Sequence, residues 1–158
     1  LGESPRLLER IRTSSIPEGR GNRISCGHVS LIDDSYNANP DSMRAALEVL
    51  SRSPGGRRIA VLGDMLELGE DSTNYHRELN AHMNGVDGVV CVGKQMKALE
   101  ACLDPERRLN HFERADQGLI DYLLSATQAG DVLLVKGSRG IFWSQGFVAS
   151  LKDAFDEV

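Results

Sequence analysis

Short apolar runs recur along this chain, each followed by a segment with the periodicity of a half-buried helix. Val29–Ile32, Ile59–Leu62, Val89–Val92 and Val132–Val135 are almost continuously apolar, and Leu109–Phe112 is a weaker fifth run. Between and after them lie helical faces: Met43, Ala46, Leu47 and Leu50; a short stretch through Met96 and Leu99; Leu119, Ile120, Leu123 and Leu124; then Phe147, Val148, Leu151 and Phe155. A strand with no polar side is covered on both faces, and strands alternating with amphipathic helices assemble as a parallel sheet between helical layers. The expected fold is therefore α/β, a Rossmann-like, mostly parallel sheet with helices on both faces.

Local signals refine this reading. Val29–Ile32 pairs with Arg23–Ser25 in a hairpin through Gly27. Asn39 is an N-cap followed by Pro40 at the first helical position, where a missing N–H costs nothing. A helix is expected from Ser72 to Gly85 with Tyr75, Leu79 and Met83 on its inner face. Ahead of the alternating region, Pro5 to Ile11 is a charged helix candidate and "SSIPEGRGN" has linker composition. The expected boundary places residues 1–21 as the tail of a preceding domain and residues 22–158 as one α/β domain.

A length of 158 residues suits one domain with a real core. A formal net charge of −5 argues against general nucleic-acid binding, which needs a basic stripe. Cys26, Cys91 and Cys102 are odd in number and lack C-x-x-C spacing, which points to buried thiols in a reducing compartment. No apolar stretch approaches a membrane span, and the first twenty residues are too polar for a signal peptide. The expected location is the cytoplasm. The chain starts at Leu1 rather than Met, as a piece of a longer protein would.

Ligands of open parallel sheets bind beyond the carboxyl ends of the strands. "DDSYNANP", "GDMLELGE", "GKQ" and "KGSRG" all fall there. The first is the densest: Asp33 through Asn37 and then Asn39 all carry hydrogen-bonding side chains, broken only by Ala38. "GVVCVGKQ" is a near miss to a phosphate-binding P-loop, but its interior is a strand and Gln95 replaces the magnesium-holding hydroxyl. In "VKGSRG", Lys136, Ser138, Arg139 and free backbone N–H groups offer an anion site, or else a glycine turn with two solvated cations. Asp64, Glu67 and Glu70 either approach a metal or cap a helix, and no metal site is assigned. His28, His76, His82 and His111 have no ligand spacing; His76 is read as packing or hydrogen-bonding on its helix.

Three segments in order, "DDSYNANPDSMRAAL", "VLGDMLELGE" with His76 beyond it, and "LLVKGSRG", resemble the C-terminal domain of the Mur ligase family. The likeness runs from "EGRGNRI" at residue 18 almost to the end. It is greatest for the branch that joins D-alanyl-D-alanine to UDP-N-acetylmuramoyl-tripeptide in peptidoglycan precursor synthesis. Folylpolyglutamate synthetase, in the wider family, has less similar motifs.

The resemblance implies a three-domain, ATP- and Mg2+-dependent peptide ligase. Its central domain carries the P-loop, and its substrate carboxylate is activated as an acyl phosphate that the dipeptide amine attacks. The C-terminal domain swings onto the central one, helps hold ATP and delivers the dipeptide. By motif position, Arg20, Asp34, Tyr36, Asn37 and Asn39 would face the nucleotide, and Lys136, Ser138 and Arg139 the dipeptide. No residue of this domain alone would be catalytic. The sequence departs from the family pattern after Gly140, where "IFWSQGF" follows, and Trp143 is read as a packing residue. The rival reading is a stand-alone ligand-binding or structural module of the same fold, separated from the ligase reading by a P-loop upstream.

Overall fold

A computed structural model describes residues 16–158. The helix expected at Pro5 to Ile11, and most of the expected 1–21 tail, lie outside the described residues. Strands β1 (Asn22–Cys26), β2 (Val29–Asp34), β3 (Arg58–Gly63), β4 (Gly88–Val92), β5 (Arg108–Phe112) and β6 (Val132–Lys136) form one sheet in the order β1-β2-β6-β3-β4-β5. β1 and β2 are the expected antiparallel hairpin; all other neighbours are parallel.

Pleating sends alternate residues of each strand to opposite faces, and both faces are covered. Ile32, Ala60, Leu62, Val89, Cys91 and Leu134 pack beneath α1 (Pro40–Ser51), α2 (Ser72–Glu78) and α3 (Lys97–Glu100). Leu31, Val61, Val90, Leu133 and Val135 pack beneath α4 (Gln117–Ala126) and α5 (Phe147–Asp156). α1 buries Met43, Ala46, Leu47 and Leu50, the stripe read from its spacing. Its start is a capping box: Asn39 Oδ1 accepts from the Ser42 N–H at 2.8 Å, and Ser42 Oγ accepts from the Asn39 N–H at 3.0 Å.

One helix departs from expectation. The segment from Ser72 is α-helical only to Glu78 and tightens into a 3₁₀ turn over Leu79–His82. Its buried face is His76, Leu79 and Met83, while Tyr75 is exposed. An imidazole can replace the expected aromatic inside because both ring nitrogens are satisfied. His76 Nε2 accepts from the Met65 N–H at 2.9 Å, and Nδ1 donates to the Ser72 carbonyl at 2.6 Å, which fixes the Nδ1–H tautomer. His76 therefore works as a clamp on the "GDML" loop.

The topology creates one obvious crevice. β2 and β6 are neighbours, but the chain leaves β2 for α1 on one face and leaves β6 for α5 on the other. Strand ends that diverge in this way leave a gap at the carboxyl edge, where open α/β sheets hold ligands. Among the described residues no helix is long and apolar enough to cross a membrane.

Candidate functional site

At that crevice lies a cavity of about 280 Å³ lined by Arg20, Tyr36, Asn37, Asn39, Lys136 and Arg139, with Ala38 and Ser42 behind them. Residues that the sequence divided between a nucleotide and a dipeptide thus share one wall. Tyr36 is its centre. The Arg20 guanidinium carbon stands 4.2 Å and that of Arg139 4.6 Å from the ring centroid. Arg139 also donates to the Tyr36 hydroxyl at 2.8 Å. Trp143 stacks on the same ring, with centroids 5.3 Å apart and planes 25° apart. Planar guanidiniums on an aromatic face are held in place without losing their charge.

The turn bearing Arg20 is locked in the same way. Gly19 has φ of +76°, and a Cβ there would come within 2.8 Å of the Trp143 ring and 3.1 Å of the Tyr36 nitrogen. Its carbonyl accepts from the Tyr36 N–H at 2.9 Å, so this segment of the expected linker is packed onto the domain.

Lys136 is nearly fully buried and its ammonium is committed: Nζ lies 2.9 Å from Asp34 and donates to the Asn37 carbonyl at 3.0 Å. The two residues are register partners at the ends of β6 and β2. The pair neutralises itself and pins the "SYNAN" loop to β6. With Lys136 neutralised by Asp34, the cavity is left with an electropositive wall made by the exposed Arg20 and Arg139. Asn37 and Asn39 are exposed at its rim, although the Asn39 oxygen is used by the helix cap.

Ser138 is placed differently. It is buried, outside this cavity's lining, and its Oγ accepts from the Leu66 N–H at 2.8 Å while its own N–H donates to the Asp64 carbonyl at 2.9 Å. Asp64 Oδ1 accepts from the Met96 N–H at 2.9 Å. These bonds tie the β3, β4 and β6 loops together, and account for Asp64 without a metal. Among the described residues no three His, Cys, Asp or Glu side chains are grouped to hold a metal ion. The near-miss P-loop "GVVCV" is β4 itself.

The sequence reading did not assign two contributors to the site. Trp143 packs as expected, but onto Tyr36, so it braces the site itself. Ser42 was legible as the third residue after an Asn cap, the spacing of a capping box.

The model of the Mur ligase glutamate ligase domain matches residues 19–139. The UDP-N-acetylmuramoyl-tripeptide–D-alanyl-D-alanine ligase of Escherichia coli K12 is 45% identical over 114 residues, covering 69% of this chain and 24% of that protein. That of Rickettsia prowazekii is 34% identical over 129 residues, covering 80% and 28%. The structure of the MurF ligase from Thermotoga maritima in complex with ADP superposes with a TM-score of 0.75 at 27% identity, covering 89% of this chain and 32% of that one. The chain spans less than a third of the length of each of these relatives. On the family match, which takes in the Tyr36 cavity and every candidate residue, this chain belongs to the Mur ligase family and carries its glutamate ligase domain.

Proposed function

We propose that this chain is the C-terminal domain of an ATP-dependent ligase that adds D-alanyl-D-alanine to UDP-N-acetylmuramoyl-tripeptide, completing a peptidoglycan precursor. The observation that carries the reading is the arginine-flanked Tyr36 at the β2/β6 crevice, in a chain 45% identical to such a ligase over 114 residues. Residues 22–158 are the domain in this account, with the Gly19–Arg20 turn packed onto it, and the residues before that turn the tail of the preceding domain. The enzyme would act in the cytoplasm, in keeping with its free cysteines.

The chemistry follows from the wall. Arg20 and Arg139 meet the phosphate charge of ATP, held in position by the Tyr36 ring. Asn37 and Asn39 add amide donors without adding negative charge. Asp34 acts indirectly, by anchoring Lys136. Lys136, Ser138 and Arg139 lie at the β6 end where the dipeptide would arrive, and Ser138 still has its hydroxyl proton to donate. Mg2+ would be held by the nucleotide phosphates and by the remainder of the ligase. Closure of this domain brings the dipeptide amine to the acyl phosphate, so its contribution is positioning.

The test is phosphate release by the full-length enzyme with ATP, Mg2+, the UDP-linked tripeptide and D-alanyl-D-alanine, each omitted in turn. The expected result is release that requires the dipeptide, with a pentapeptide product by mass. Release indifferent to the dipeptide, or none, would overturn the assignment in favour of another amine or a stand-alone module.

A further inference from the structure

A second, larger cavity of about 550 Å³ lies beside α5, and nothing in the proposed ligase chemistry uses it. Its floor is Ile24 and Asp33 from the hairpin; Phe147 and Val148 of α5 and the ring of Trp143 wall it, and Glu18 stands at its edge. Pleating sends the adjacent Asp33 and Asp34 to opposite faces: Asp34 pairs with Lys136, which lines the first cavity, and Asp33 lines the second.

Asp33 is only 5% exposed, and no ion pair among the described residues includes it. Its compensation is neutral, from the Ser35 hydroxyl at 2.5 Å and N–H at 3.3 Å, both to Oδ1, and from the Gly19 backbone N–H. Burial raises its carboxyl above the ordinary range, against the lowering effect of the Ser35 and Gly19 hydrogen bonds. The two cations on the lining are engaged elsewhere, Arg23 with Ser53 and Lys152 with Asp156. The cavity therefore combines an apolar body with a buried carboxyl that no cation pairs among the described residues, and a cationic ligand would supply that partner.

We propose that this cavity binds a small primary amine on an aromatic or aliphatic body, its ammonium group paired with Asp33 and its apolar part against Trp143 and Phe147. The inference is independent of the ligase assignment. An occupant would touch the ring that stacks on Tyr36 and packs against Gly19, so it would bear directly on the arm carrying Arg20.

Trp143 is the single tryptophan of these 158 residues, so the emission of this domain reports the cavity directly. Phenethylamine and its uncharged counterpart 2-phenylethanol are titrated into the protein, and phenethylamine also into Asp33→Asn and Ala149→Phe. Ala149 lines the cavity from an exposed position, so its replacement fills the space without disturbing the core. The expected result is a saturable change with phenethylamine, about tenfold weaker with the alcohol and in Asp33→Asn, and lost in Ala149→Phe. No saturable change, equal binding of alcohol and amine, or undiminished binding in Ala149→Phe would each overturn the proposal. If Asp33→Asn does not fold by circular dichroism, the amine–alcohol comparison on the native protein decides.

Discussion

Two buried aspartates titrate in opposite directions in this molecule, for physical reasons that differ by one partner. Burial raises the Asp131 carboxyl, but the Arg57 side chain at 2.7 Å and backbone N–H bonds from Gln128 and Arg57 outweigh it and hold it below its ordinary range. Asp33, with no cationic partner among the described residues, is pushed up. A lowered folded-state pKa gives stability that is present above the unfolded value and is lost as pH falls through the folded one. A raised one is a burden at neutral pH, relieved by acid. Asp131→Asn should therefore lower stability at pH 7 by about 2 kcal/mol, allowing for the part-exposed Arg57, and flatten the acid limb of urea midpoint against pH. At this scale the sequence made Asn39 and Pro40 legible, because capping is local. It could not show that Tyr36 is held by Arg139, which lies 103 positions away.

The loops at the carboxyl edge are elements in their own right, and their conformations are set by close packing. Gly93 closes β4 with φ of +106°, and a Cβ there would come within 2.4 Å of the Asp64 carboxylate that receives the Met96 N–H. Gly93→Ala should cost about 2 to 3 kcal/mol in chemical denaturation, from backbone strain and from displacing Asp64. A cost below about 0.5 kcal/mol, the range of ordinary surface changes, would show that the loop adapts. Strand and helix identities were readable here because continuous apolar runs and helical stripes are strong patterns. The inward turn of His76 in place of Tyr75 was not, since it depends on Met65 and Ser72 supplying hydrogen bonds to the ring.

Across the whole molecule, tertiary bonds join the four edge loops into one unit: Lys136 to Asn37, Ser138 to Leu66, and Asp64 to Met96. Such a unit can move as a rigid body, as the proposed closure would require. The α/β class, the parallel order and the carboxyl-edge site all follow from alternation and from the switch between β2 and β6. The sequence did not reveal that its two groups of candidate residues share a cavity, because strand order brings β6 beside β2 only through long-range pairing. The central claim is that the Tyr36 wall meets ATP. It is tested most directly by the KM for ATP in dipeptide-dependent phosphate release, comparing the native full-length enzyme with Tyr36→Ala. Removing the ring that holds both guanidiniums should raise that KM about tenfold. An unchanged KM for ATP in a folded variant would contradict the account.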